Sequence, residues 1–334
     1  MGRINTNEER RATLDWAKNL SLEPIELGSH WSIGSLKSEF EKSLKNYFRL
    51  CALARGKSAP KKLSQAAHDQ LFRVRVIVEK TIQESILAAL KRDPNSLNTL
   101  FEGRFYGNSK KQGVSLRLPL TSCVPTPLCR GGCYAHDTLD AAPSAVIRGA
   151  INGVIASLYE NGTNTKRTLI LGSLRTHSQR AIQAARTEIK ELSGWQRRPY
   201  VRFAHLGEAA TFPEFMNALA NQIGELSKWE VDCVVYTRHP NASSLQENLW
   251  ITNFTLDNAS KERRVYAPAY ARIVYSAWNG EIENDVDINF LEHHRWQHSK
   301  PSGNGPVCPA TLPETEFRTC DSLRCDTCFR RKIS

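Results

Sequence analysis

Apolar positions in the first hundred residues of this chain recur every three to four residues. The stretches 36–55 and 63–91 both carry this spacing, and Asp93-Pro94 interrupts the second one. Such spacing places apolar side chains along one face of an amphipathic helix, and the residue before a proline usually ends a helix. The sequence therefore predicts a helical N-terminal region whose apolar stripe packs into a core.

From about residue 113 the pattern changes to short apolar runs that alternate with amphipathic segments. The predicted strands are 114–120, 168–171, 201–204, 233–236, 249–254 and 273–276, and the predicted helices are 143–158, 178–192 and 212–229. Buried runs of this length between helices favour a parallel sheet of βαβ units. We predict an α/β fold, a six-stranded parallel (β/α) partial barrel preceded by helices, with a doubly wound sheet as the alternative.

Both architectures place functional groups at the carboxyl ends of the strands. Polar residues collect at these predicted ends: Arg175 follows the second strand, Gly207 and Glu208 follow the third, and Arg238 follows the fourth. The recurrence of such residues at one predicted edge indicates that functional groups gather there.

Seven of the nine cysteines fall into two clusters. Cys123, Cys129 and Cys133 lie in CVPTPLCRGGCYAHD, directly after the first predicted strand, and Cys308, Cys320, Cys325 and Cys328 lie near the C-terminus. Clustered cysteines indicate ligands of zinc or of an iron–sulfur cluster. Three thiolates leave one position of a 4Fe–4S cluster open, whereas four make a closed set; for zinc, His136 is a candidate fourth ligand to the first set.

The two other cysteines and a histidine group complete the candidate ligands. Cys51 and Cys233 lie alone in apolar segments, which predicts small core residues. His293, His294 and His298 form a histidine group that could bind a metal or transfer protons near neutral pH.

We predict that the chain has three regions. These are a basic helical region at 1–110, a partial barrel at 111–300 that carries the three-cysteine loop, and a four-cysteine metal-binding tail at 301–334.

Positive charge is concentrated in the N-terminal part. The net charge is +11, and residues 1–120 hold 21 Lys and Arg against 12 Asp and Glu. A basic region of this kind indicates a nucleic-acid partner or a solvated helical surface.

The sequence contains no apolar stretch of the roughly 18 residues that a membrane span needs, and its N-terminus has no signal-peptide pattern. We therefore expect a cytoplasmic protein without membrane contact.

Several segments resemble the phage family known as gene product 88. The resemblance rests on CVPTPLCRGGCYA, VRFAHLGEAATFPEFMNALA, VDCVVYTRHP, LWITNFTLDNAS and the closing CPAT and CDSLRCDTC segments, over roughly residues 113–330. It implies a phage or mobile-element context and no particular activity.

The architecture also resembles that of radical S-adenosylmethionine enzymes. The resemblance implies a six-stranded (β/α) barrel, a three-cysteine loop after the first strand, and auxiliary clusters at the C-terminus. In that superfamily a glycine-rich segment ending in Glu after the second strand holds the methionine amino group; here Gly207-Glu208 follow the third predicted strand. The family spacing is Cys-x3-Cys-x2-Cys, whereas this loop has five and three intervening residues.

Two functions follow from these observations. The first is an iron–sulfur enzyme with an open 4Fe–4S cluster on Cys123, Cys129 and Cys133 that binds S-adenosylmethionine. Gly207 and Glu208 would receive its amino group, Arg238 or Arg175 its carboxylate, and the tail would hold a second cluster or a structural metal. The alternative is a zinc-stabilised nucleic-acid-binding protein without catalytic activity.

Overall fold

A computed structural model describes residues 6–28, 31–56, 59–109, 113–133, 142–191, 198–204, 206–278, 280–292, 305–308 and 328. The chain forms two compact units. The first comprises residues 1–103, 118–123 and 133–155, and the second comprises 104–117, 124–132 and 156–334. None of the described helices combines the length and the apolar character that a membrane span requires.

The first unit is helical, as the apolar spacing predicts. Its N-terminal helices are α1 (Asn7–Lys18), α2 (Ile33–Glu39), α3 (Glu41–Ala54) and α4 (Lys61–Arg92), and a 3-10 helix (Pro94–Phe101) follows. Thr6 and Glu9 form a capping box that satisfies free backbone N–H groups at the start of α1. Asp93 ends α4 in extended conformation and accepts a hydrogen bond from the Asn95 backbone. The core includes the predicted stripe of α4, with Leu71, Val74, Val78, Ile82 and Ile86 buried.

A buried ion pair lies inside this helical unit. Arg75 Nε donates to Glu79 Oε1 at 2.5 Å, and both side chains are almost fully excluded from solvent. The other oxygen, Glu79 Oε2, accepts the backbone N–H of Leu120 at 2.6 Å. The carboxylate therefore fixes the segment 118–123 to α4 as well as neutralising Arg75.

The second unit contains the sheet. Its strands are β1 (Gly107–Ser109), β2 (Gly113–Ser115), β3 (Tyr200–Phe203), β4 (Asp232–Thr237), β5 (Trp250–Leu256), β6 (Arg272–Trp278) and β7 (Ile288–Glu292). They follow chain order across the sheet. Among the described residues, β1 is antiparallel to β2, and β2 to β7 are six parallel strands that curl into a half-barrel. The predicted fold class is confirmed.

The sheet differs from the sequence prediction at residues 168–171, in the added strands β1 and β7, and in β2, which ends at Ser115 whereas the predicted strand extends to residue 120. Residues 168–171 lie within α7 (Asn164–Glu191), so the strand predicted there is wrong. Ile170 and Leu174 are both buried, and this four-residue spacing continues the helical pattern. The sixth parallel strand is instead β7, which the sequence analysis did not predict. The remaining helices are α5 (Pro127–Gly132), α6 (Pro143–Glu160) and α8 (Pro213–Ser227).

Candidate functional site

The loops that follow β3, β4 and β5 meet through buried carboxylates at the carboxyl end of the parallel sheet. Glu208 follows β3 and Asp257 follows β5, and the side chains of both are buried. Burial of two acidic groups is costly unless each is hydrogen-bonded or paired with a cation. Their partners therefore define the site.

The Glu208 carboxylate joins the β3 loop to the β4 loop. Its Oε1 accepts the Thr237 hydroxyl at 2.6 Å and the Ala210 N–H at 3.2 Å, and Oε2 accepts the Arg238 N–H at 3.2 Å. Burial raises the pKa of Glu208 above its ordinary value, although these hydrogen bonds oppose the shift. The side chain predicted to receive an amino group thus also fixes the loop geometry.

The turn after β3 departs from ordinary backbone geometry. Ala204 has φ +50°, an uncommon value for a residue with a Cβ, and Gly207 has φ +79°, which glycine adopts readily. Residues held in such conformations concentrate at functional sites. The turn directs the chain from the end of β3 to Glu208.

Removal of the wrong strand also changes the position of Gly207-Glu208. These residues follow β3, which is the second of the six parallel strands rather than the third. The second strand is the position that the resemblance to radical S-adenosylmethionine enzymes implies for this dipeptide.

The Asp257 carboxylate accepts hydrogen bonds at both oxygens. Its Oδ1 accepts the Ala259 N–H at 3.0 Å and the Ser260 hydroxyl at 2.9 Å. Its Oδ2 accepts the Thr126 hydroxyl at 2.5 Å and Arg238 Nη1 at 3.1 Å. One carboxylate therefore connects the end of β5, the loop after β4 and the segment that carries Cys129.

Two further contacts fix the segment that carries Cys129. Thr126 Oγ1 accepts the Cys129 N–H at 3.0 Å, so that the same hydroxyl contacts both Asp257 and the cysteine backbone. Arg263 Nη1 donates to the Val124 carbonyl at 2.9 Å. Cys129, which the sequence analysis placed on a loop, lies in the short helix α5, and these two contacts fix the segment that leads into this helix.

Arg238 carries the positive charge of this site. Burial alone would lower its pKa, but the negative charges of Cys129, Asp257 and Glu208 outweigh burial and raise the pKa above its ordinary value. A guanidinium beside a thiol stabilises the thiolate, which is the form that binds metals. Arg238 therefore lies where it can interact with both a thiolate and an anionic ligand.

His239 begins the 3-10 helix Pro240–Ser244 beside the same loop. Its Nδ1 accepts the Asn241 N–H at 3.0 Å, which requires a neutral nitrogen lone pair. Burial lowers the pKa of His239, and the positive charge of Arg263 lowers it further. The imidazole is thus kept neutral as a helix cap.

Arg175 lies elsewhere. It is exposed in the middle of α7, and the strand whose end it was expected to follow does not exist. The helix continues through residues 168–175, so this arginine is not at the carboxyl edge of the sheet. Arg238 is the arginine that the structure brings to Glu208.

The tail cysteines fall partly within the described residues. Cys308 and Cys328 are buried in one cluster with Val274 and Ile288, and the Cys328 carbonyl accepts Asn253 Nδ2 at 3.1 Å. Cys320 and Cys325 lie outside the described residues, as do the histidines at 136, 293, 294 and 298. The two described members are therefore packed against the sheet. Cys51 and Cys233 are buried in the core, as predicted.

The first cysteine set has the donor chemistry of a metal site. Cys123, Cys129 and Cys133 are each partly exposed, and Cys129 is close enough to Arg238 for their charges to interact. Within the described residues, no three His, Cys, Asp or Glu side chains are arranged to hold a metal ion. Ligation by the three thiols is therefore an inference from their chemistry and not from an assembled coordination geometry.

Sequence reasoning missed Thr126, Asp257 and Arg263. Of these three, only Asp257 is recognisable in the sequence. It begins the run Asp-Asn-Ala-Ser, in which the aspartate oxygen can accept the backbone N–H two residues onward.

Comparison of the chain with models of protein families, with curated proteins and with solved structures gives no match.

Proposed function

We propose that this protein is an iron–sulfur enzyme of the radical S-adenosylmethionine type. The observation that carries the proposal is the joining of the Cys129 segment, Glu208 and Arg238 at the carboxyl end of a six-stranded parallel half-barrel. This is the edge at which parallel barrels carry out chemistry. Gly207-Glu208 after the second parallel strand adds support.

The chain's own residues have distinct roles in this proposal. Cys123, Cys129 and Cys133 would hold a 4Fe–4S cluster, and Thr126 would fix the backbone of the middle ligand through Asp257. When bound, such a cluster supplies an open iron for S-adenosylmethionine and the electron that cleaves its sulfonium bond. Cys308, Cys320, Cys325 and Cys328 would hold the second, closed centre.

Two groups would orient the cofactor. Arg238 would pair with the methionine carboxylate, for which a guanidinium offers two parallel donors. Glu208 would accept the amino group while its oxygens continue to hold the β3 and β4 loops. Since Arg238 also contacts Asp257, the cofactor carboxylate would share this guanidinium with the protein.

Anaerobic purification followed by metal and sulfide analysis tests the proposal. We expect a brown protein with iron, acid-labile sulfide and a visible charge-transfer band. Cys129→Ala should lose one cluster's iron. Cys233→Ala, a cysteine buried against α8 and outside both sets, should retain the full content. A colourless protein with stoichiometric zinc would overturn the proposal.

The alternative is a zinc-stabilised protein that binds nucleic acid. It is favoured by the excess of positive charge in residues 1–120 and by the burial of Cys308 and Cys328, which suits a structural metal. It predicts bound zinc, affinity for DNA or RNA that falls steeply with salt, and no stabilisation by S-adenosylmethionine. The same metal analysis separates the two functions.

A further inference from the structure

The turn that ends at Cys123 lies within the helical unit. This turn is the short 3-10 helix Leu120–Ser122, and Cys123 follows it directly. The sequence analysis placed Cys123 at the end of a strand, but β2 ends at Ser115. The segment 118–123 belongs to the same compact unit as α4 and most of α6. The contacts of this turn with those two helices therefore bear on the position of the first cysteine.

Two side chains of α4, one helical turn apart, bind the turn. Glu79 Oε2 accepts the Leu120 N–H at 2.6 Å, and Gln83 Oε1 accepts the Thr121 hydroxyl at 3.2 Å. Residues four apart lie on the same side of a helix, so one face of α4 makes both contacts. The Leu120 carbonyl in turn accepts the Cys123 N–H at 3.0 Å. Hydrogen bonds thus connect α4 to the backbone of the cysteine.

Hydrogen bonds within the turn restrict it further. The Pro119 carbonyl accepts the Ser122 N–H at 3.1 Å and the Ser122 hydroxyl at 2.7 Å. The proline ring fixes its own φ, which reduces the conformations open to the turn. Glu79 is in turn held by its buried ion pair with Arg75. The backbone before Cys123 is therefore preorganised, while Cys123 itself is partly exposed.

Helix α6 approaches the same turn closely at Gly153. A Cβ atom at this position would lie 2.6 Å from Pro119 Cγ and would also meet the Gln83 side chain. A proline ring cannot rotate away from such a contact, so the approach requires glycine. Gly149 lies one turn earlier on the same helix, and its Cβ would lie 3.5 Å from the Leu118 carbonyl oxygen, an ordinary contact. The turn is thus packed against α6 as well as bound to α4.

We propose that α4 and α6 position Cys123 as a metal ligand. Glu79 and Gln83 are positioning residues in this proposal, because they act through the turn and do not touch the metal. Groups that orient a ligand in this way typically change metal affinity by about 10-fold to 100-fold. The proposal gives α4 a role in metal binding that the charge of residues 1–120 does not indicate. The identity of the metal rests on the proposed function, whereas the restraint on Cys123 does not.

Gly153→Ala tests the inference, because the added methyl group displaces Pro119. Alkylation of the full chain is followed by peptide-resolved mass spectrometry after the metal has been chelated. We expect Cys123 to react roughly tenfold faster than in the wild type, the equivalent of one lost hydrogen bond. Cys51, buried in α3 of the same unit, should stay protected, which a general loosening of the helices would not allow. Gly149→Ala is the matched control and should leave the rate at Cys123 unchanged.

Gln83→Ala is a second variant, which removes the contact with Thr121 and introduces no clash. It should accelerate alkylation of Cys123 by about threefold, since one exposed hydrogen bond is lost. Circular dichroism melts and the reactivity of Cys51 identify a variant that unfolds, and Gln83→Ala decides the question if Gly153→Ala is one. Metal bound per chain after anaerobic purification should also be lower in Gly153→Ala than in the wild type.

Wild-type reactivity of Cys123 in the folded variants would overturn the inference. Acceleration of Cys51 together with Cys123 in Gln83→Ala would overturn it as well, because the side chain would then support the whole unit and not the turn. An iron–sulfur protein in which Cys123 is not accelerated would refute the positioning role alone. A zinc protein in which Cys123 alone is accelerated would refute only the proposed enzyme.

Discussion

The Thr126 hydroxyl donates a 2.5 Å hydrogen bond to the buried carboxylate of Asp257, and the two residues are 131 positions apart in the chain. This contact joins the segment carrying Cys129 to the end of β5. Because Asp257 also accepts from Arg238, the position of one cysteine and the position of one cation depend on the same carboxylate.

Asp257→Asn should destabilise the protein by about 3 kcal/mol, since it leaves Arg238 without its buried partner and cannot accept the same four hydrogen bonds. Chemical denaturation measures the loss. Asp285→Asn, the same substitution at an exposed position, should change stability by less than about 0.5 kcal/mol. Equal stability of the two variants would contradict the central role of Asp257.

Thr126→Val should loosen the Cys129 segment without unfolding the sheet, because it removes the hydroxyl that contacts both Asp257 and the Cys129 N–H. We expect faster alkylation of Cys129, measured by peptide-resolved mass spectrometry. Thr126→Ser retains the hydroxyl and should react at the wild-type rate. If Thr126→Val also reacts at that rate, the hydroxyl does not restrain the segment.

Glu79→Gln should cost about 3 kcal/mol of unfolding free energy, because Arg75 would remain buried without its counter-charge. The matched control is Glu84→Gln on the same helix. Glu84 forms an exposed pair with Lys80 at 3.7 Å, and exposed pairs contribute about 0.5 kcal/mol or less. Similar losses of unfolding free energy in the two variants would show that the buried Arg75–Glu79 pair contributes no more than an exposed pair.

The stability that Glu208 contributes to the folded protein should fall as the pH rises above 4.5, the ordinary pKa of a glutamate side chain. Burial raises the pKa of Glu208 in the folded state, so the folded chain binds more protons than the unfolded chain until the pH passes the raised pKa. Glu208→Gln should lack this component of the pH profile. Denaturation midpoints across pH test it, and superimposable profiles for the two proteins would contradict it.

His239 should produce the opposite slope at slightly higher pH. Its pKa lies below the ordinary 6.5 because burial and then Arg263 oppose the imidazolium. The unfolded chain therefore binds more protons just below pH 6.5, and stability falls as the pH decreases through that window. His239→Asn keeps a capping oxygen and should remove the slope. Retention of the slope in His239→Asn would assign it to another group.

Local pattern was enough to predict much of the fold. The helix at 63–91 and the strands β3 to β6 follow from spacing alone, because periodicity reports which side chains share a face. The stretch 36–55 is helical as predicted but is divided at Phe40 between α2 and α3. Residues 168–171 were misassigned because a four-residue apolar run fits a buried strand and a buried helical turn equally well. Leu174 is buried as well and lies four residues after Ile170, which is the spacing of a helix and not of a strand.

The amino-acid pattern alone is enough to name the chemical groups that are available: two cysteine sets, a Gly-Glu pair after a strand, and strands separated by helices. Which of these groups meet depends on the folded chain. Thr126 reaches Asp257 and Arg202 covers Tyr236 because strand order and register bring distant segments together, and neither is encoded in local periodicity. Arg175 and Arg238 look alike in the sequence, yet one is exposed on a helix and the other is half-buried beside the carboxylates at the carboxyl edge of the sheet.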